Sequence, residues 1–106
     1  MQMKFHILDE NKNVVPVESL TKFLEWANGH PKLYLVAEDE ACGSRVETIF
    51  LGVDRRDDFS ETSLFFETAI FGGKLNGLWR RYATWAEAEA GHAEALAKVK
   101  EVSNEQ

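Results

Sequence analysis

The stretch LFFETAIF-GGKLNG-LWRRYA-TWAE, residues 64–87, leaves this chain little freedom. Two runs rich in aromatic and β-branched residues flank a glycine-rich turn, the pattern of an antiparallel hairpin. Directly behind the second run stand Thr84 and Glu87, spaced as a capping box. There the threonine oxygen takes an orphan N–H of the first helical turn, and the glutamate reaches back to the cap. A hairpin therefore feeds a helix that starts at Thr84 with no linker between them.

At about 100° per residue, Trp85, Ala88, His92, Ala95, Leu96 and Val99 fall within one stripe of that helix. Glu87, Glu94 and Lys98 lie opposite, toward water. Gly91 sits at the margin of the stripe and costs about 1 kcal/mol of helix stability relative to alanine. Close approach of a strand or an aromatic side chain would account for it. His92 belongs to the inward face, where a carbonyl or carboxylate partner is expected.

Upstream, MKFHIL alternates as a strand, DENKN is a polar turn, and VVPV resumes extended structure. Pro16 confines that run to an edge or a strand end. SLTKFLEWANGHP reads as a helix with Leu20, Phe23, Leu24 and Ala27 on one face. Asn28-Gly29 offers a left-handed stop, and Pro31 prevents resumption. KLYLVAE and RVETIFLGV form a hairpin across the turn-prone, acidic DEACGS, and DRRDDFSETS is the longest loop. The reading is an α+β fold: an antiparallel sheet of about five strands, with two amphipathic helices, near 18–28 and 84–100, packed on one face. Residues 1–106 make one domain, with fraying expected from about 101. Strand order is not readable.

The chain's 106 residues carry a formal charge of −6, against general nucleic-acid binding, which draws on cations at phosphates. No apolar run approaches the roughly 18 residues of a membrane helix, and the acids near the N-terminus do not fit a signal peptide, so a cytoplasmic location is expected. A lone cysteine, Cys42, cannot form an internal disulfide. His6, His30 and His92 lie on three elements without metal-ligand spacing, so neither a metal nor another cofactor is expected. Ser60 and Ser63 lack a nucleophile-elbow context.

Charge is unevenly spread. Residues 38–61 hold eight acids against Arg45, Arg55 and Arg56, whereas residues 72–83 hold Lys74, Arg80 and Arg81 and no acid. In the first segment Asp39, Glu40, Asp57 and Asp58 are candidates for contact with a basic protein, standing in for nucleic-acid phosphates. In the second, Gly72, Gly73 and Lys74 resemble an anion nest, although the order and context of a P-loop are missing. Arg80 and Arg81, beside Trp79 and Tyr82, could stack on and pair with a nucleotide. The alternative for both arginines is an ordinary sheet strand. Glu67 shares a face with Phe65, Ala69 and Phe71 and needs a partner: His92, Arg80 or Arg81.

The blocks VETIFLGVD, LFFETAIFGG and RRYATWAEAEAGH, with ILDENKNVVPV near the N-terminus, resemble a family of small uncharacterised bacteriophage and prophage proteins. The resemblance covers most of the chain and implies an origin but no activity; DRRDDFSETS departs from the family pattern. Three functions compete. The first is a non-enzymatic phage accessory protein that binds, and could inhibit, a host or defence protein through an acidic surface. The second is a binder of a small anion such as a nucleotide, through the 72–81 hairpin with Glu67 and His92. The third is an enzyme using His92 and Glu67 as an acid/base pair. They rank in that order, with a non-enzyme favoured, and a homodimer stays open.

Overall fold

The computed structural model describes residues 4–30 and 34–103. Strands β1 (Phe5–Leu8) and β2 (Val14–Val17) form an antiparallel hairpin. Its turn is built by Asp9, whose carboxylate accepts the N–H groups of Asn11 and Asn13 at 2.8 and 2.9 Å. Pro16 lies in this two-stranded ribbon opposite His6, where no third strand needs the missing N–H.

Helix α1 (Leu20–Gly29) starts at Ser19, whose hydroxyl accepts the Lys22 N–H at 3.3 Å. It packs on the β1–β2 hairpin through Phe23, which meets Phe5 at 5.5 Å between ring centroids. Trp26 reaches further, edge-to-face onto Phe50 at 5.8 Å. The covered side is thus Phe23, Trp26 and Ala27, while Leu20 and Leu24 of the expected face stay 50% and 49% exposed. A narrow ribbon cannot cover the whole stripe. The helix also runs through Gly29 without a left-handed residue and is capped by His30, whose N–H returns to Ala27 O. Pro31 lies outside the described residues.

Strands β3 (Leu35–Ala41), β4 (Ser44–Phe50), β5 (Phe66–Phe71) and β6 (Trp79–Tyr82) follow one another as an antiparallel meander. Cys42 and Gly43, both at positive φ, make the tight β3–β4 turn. The fold is α+β with antiparallel sheets, the six strands among the described residues divided four and two. Helix α2 (Trp85–Ser103) crosses all four strands of the larger sheet, and α1 stays with the smaller. Leu8 joins the two parts by packing with Phe50, Phe66, Tyr82 and Ala88, and the His6 N–H donates to Gly52 O at 2.8 Å.

Thr84 caps α2 as its spacing predicts, accepting the Glu87 N–H at 3.2 Å. The Glu87 carboxylate accepts from the threonine hydroxyl and not from the cap's own N–H. The stripe facing the sheet includes Ala88, Gly91, His92 and Val99, so Gly91 is interior and not marginal. A Cβ on Gly91 would run into the Tyr82 ring, the aromatic close approach that the glycine called for. Where fraying is expected from about 101, α2 continues to Ser103, whose hydroxyl donates to Val99 O at 2.9 Å.

Candidate binding face of the four-stranded sheet

Alternation along the strands gives the larger sheet two faces, and each has its own chemistry. Toward α2, Thr48 and Thr68 stand in register with their hydroxyl oxygens 2.5 Å apart. Thr48 Oγ1 lies 2.7 Å from His92 Nδ1, and His92 Nε2 lies 2.7 Å from Asp39 Oδ2. A carboxylate only accepts, so Nε2 carries the hydrogen toward Asp39. With a neutral ring, Nδ1 then accepts the Thr48 hydroxyl, and Thr48 accepts that of Thr68. The Asp–His–Thr order is that of a nucleophile relay. Here, however, Thr48 is 0% and Thr68 2% exposed, and both hydroxyls are committed to partners within the chain. The relay closes polar groups inside a core.

The opposite face is organised in transverse rows. One runs Leu35, Ile49, Glu67, Arg81, the next Glu38, Glu47, Ala69, Trp79, and the third Glu40, Arg45, Phe71. Among the described residues no helix or strand packs on it. Phe71 and Trp79 are 45% and 60% exposed. Each ring carries a guanidinium, Arg45 at 4.8 Å over Phe71 and Arg81 at 4.4 Å over Trp79. Between the two rings, over the small Ala69, lies a groove of about 310 Å³ that Glu67 and Leu78 also border. Glu38 and Glu47 face each other across β3 and β4, a repulsive placement, and Glu38 has no cationic partner among the described residues.

The candidate residues do not converge. Glu67 takes Arg81, directly across the strand pair at 3.1 Å, and lies on the opposite side of the sheet from His92. The acid/base pair of the enzyme reading is therefore not formed. Arg80 points to the α2 side and pairs with Glu94 at 3.3 Å. The Gly72 N–H is taken by Asn76 Oδ1 at 2.7 Å, and Lys74 Nζ reaches Val102 O at 3.0 Å. The expected nest is thus a self-satisfied turn: an Asn76 side chain occupies the place of the anion. Gly73 serves packing, its bare Cα lying against Ser44.

Nor do the acids of residues 38–61 make one strip. Asp39 and Glu40 belong to β3 and not to a turn; Asp39 goes to His92 and Glu40 to the open face. In the loop, Asp57 accepts the Phe59 N–H at 2.9 Å, and Asp58 is exposed. Asp54 organises that loop, accepting the N–H groups of Arg56 and Leu64 at 3.0 and 2.9 Å. Burial pushes its carboxyl up, but those N–H donors, the Ser63 hydroxyl and the Arg56 guanidinium outweigh burial and hold its pKa below the ordinary value.

Missing from the sequence-derived site were Arg45, Ala69 and Phe71 on the open face, and Thr48 and Thr68 behind it. The alternation in SRVETIF and LFFETAIF carries part of that signal; the register that aligns the two strands does not appear in either alone. Among the described residues no cluster of three or more histidine, cysteine or carboxylate side chains is arranged to hold a metal. No helix is long and apolar enough to cross a membrane. No protein-family model, curated protein or solved structure matches the chain.

Proposed function

We propose that this chain is a non-enzymatic binding domain whose open sheet face holds a partner protein. The observation that carries the proposal is the groove between Phe71 and Trp79, floored by Ala69 on an uncovered face. Aromatic and arginine side chains dominate the centres of protein interfaces, because they bury large areas at small entropic cost. Here they are already held in place, each ring stacked by a guanidinium. The partner inserts an apolar side chain over Ala69 and sets a lysine or arginine against Glu38 and Glu47, relieving their repulsion. Four carboxylates (Glu38, Glu40, Glu47, Glu67) against two guanidiniums (Arg45, Arg81) make the face a poor match for phosphates. The resemblance to small phage and prophage proteins points to a host or defence protein as that partner.

The test is to fill the groove. With a binder isolated on the wild-type chain, Ala69→Leu should weaken the affinity by at least about tenfold, the loss of one good anchor. The urea midpoint should stay within error of wild type. Undiminished affinity in this variant rules the groove out as the recognition site.

A further inference from the structure

On the other side of the sheet, where β6 diverges from α2, lies a second cavity of about 210 Å³. Its α2 wall is floored by the small residues Gly91 and Ala95, opposite Ile70, Leu78 and Tyr82. At about 30 Å³ per water, it would hold roughly seven water molecules. Apart from Thr68, whose hydroxyl is paired with that of Thr48, its walls are apolar except in two places. One is the Tyr82 hydroxyl, which makes no hydrogen bond among the described residues and is open to water. The other is the rim, formed by Arg80, Glu94 and Lys98. Arg80 and Glu94 pair with each other, whereas Lys98 forms no ion pair among the described residues. A chain of net charge −6 thus keeps an ammonium outside any ion pair at the mouth of a largely apolar cavity that a tyrosine hydroxyl faces.

We infer that this cavity binds a small organic carboxylate, one with a short aliphatic or single-ring body. The body lies against Ile70, Leu78 and Ala95. The carboxylate accepts from the Lys98 ammonium and the Tyr82 hydroxyl, and the Arg80–Glu94 pair closes the mouth. Charge-assisted hydrogen bonds discriminate between an anion and its neutral isostere, even at a rim open to solvent. A small acid matches the apolar extent of the cavity, and Arg80 of the 72–81 hairpin stays in the site. Inorganic phosphate satisfies the rim but leaves the apolar walls wet, so it binds more weakly than the organic acid.

The experiment titrates the intact chain with hexanoate and benzoate, with hexanol and benzamide as neutral counterparts, and with inorganic phosphate. Amide chemical shifts report where each binds. Hexanoate or benzoate should shift Tyr82, Gly91 and Ala95 and leave Ala69 and Phe71 on the open face unmoved. Ala95→Leu, which fills the cavity from the helix side, should abolish those shifts without lowering the thermal midpoint. Lys98→Met should weaken the acid by about tenfold, the worth of one charge-assisted contact, and leave the neutral counterpart unchanged. Shifts that persist in Ala95→Leu, or none with either acid at millimolar concentration, overturn the site. A neutral counterpart that binds as well as its acid, with Lys98→Met indifferent, overturns the anion assignment.

Discussion

The two faces of the four-stranded sheet are made by the same strands, and alternate residues meet opposite fates. Phe66 points toward α2 and is 0% exposed, whereas Phe71, at the other end of the same strand, is 45% exposed on the open face. Toward α2 even the polar groups are closed into a chain, from Asp39 through His92 and Thr48 to Thr68. Toward solvent, Glu38 and Glu47 oppose each other, and two aromatic rings are covered only by arginines. One face gains folding free energy from every residue that it buries. The other leaves apolar and charged groups open to solvent, where ion pairs and guanidinium–ring stacks add less to folding than burial does. A sheet of this kind can change its open face without changing its core.

That contrast can be broken most sharply with one large side chain from each face. Phe66→Ala should cost about 3–5 kcal/mol, because it empties a fully buried site next to Phe50 and Trp85. Equilibrium urea unfolding measures it, and a loss below 1 kcal/mol would mean that the covered face is not the core (about 1 being an ordinary substitution). Thr48→Val keeps the shape but strands the Thr68 hydroxyl and His92 Nδ1, and should cost about 1–3 kcal/mol in the same assay. His92→Ala should fall in the same range for the same reason, since it leaves Thr48 and Asp39 without their partner.

Smaller effects sharpen the picture. Thr84→Ala should cost about 1 kcal/mol through the lost cap of α2. Asp54 tests the loop that borders the open face, where Arg81 also donates to Arg55 O at 3.0 Å. Its folded-state pKa lies below the ordinary 3.8, so its stabilisation is fully present above that value. It disappears as pH falls through the lowered folded value. In Asp54→Asn the acid limb of stability against pH should be shallower than in wild type; an unchanged limb would remove Asp54 as its source. Smallest of all, Trp79→Ala should cost under about 1 kcal/mol, the worth of its stacking on Arg81.

The covered face was largely legible in the sequence, and for a physical reason: a helix stripe and strand alternation are local patterns. Trp85, Ala88, His92 and Val99 could be placed inward from spacing alone, and Gly91 announced a close neighbour that proved to be Tyr82. What spacing could not supply was register. Asp39 meets His92 across 53 positions because the Cys42–Gly43 turn sets Ala41 opposite Ser44 and so Asp39 opposite Val46, on the α2 side. Nothing in DEACGS marks which two of its residues make the turn. Leu20 and Leu24 misled for a related reason, since a stripe tells which residues are apolar and not how wide a surface they will find. The acids of residues 38–61 read as one strip in sequence, and folding distributes them between a buried histidine, an open face and a loop. The Glu67–Arg81 pair was readable because cross-strand partners one hairpin apart are nearly local. The groove over Ala69 was not, because it is defined by what is small between two large neighbours on adjacent strands.

The division of labour between the faces is tested most directly by photo-crosslinking from single positions in a lysate of the source cells. A photoreactive side chain replaces Trp79 on the open face in one chain, and Ala90 on the exposed side of α2 in another. The account predicts a discrete protein adduct from position 79 alone, removed by excess wild-type chain and retained under excess Ala69→Leu chain. Equal adducts from both positions, or competition by Ala69→Leu as effective as by wild type, would contradict it.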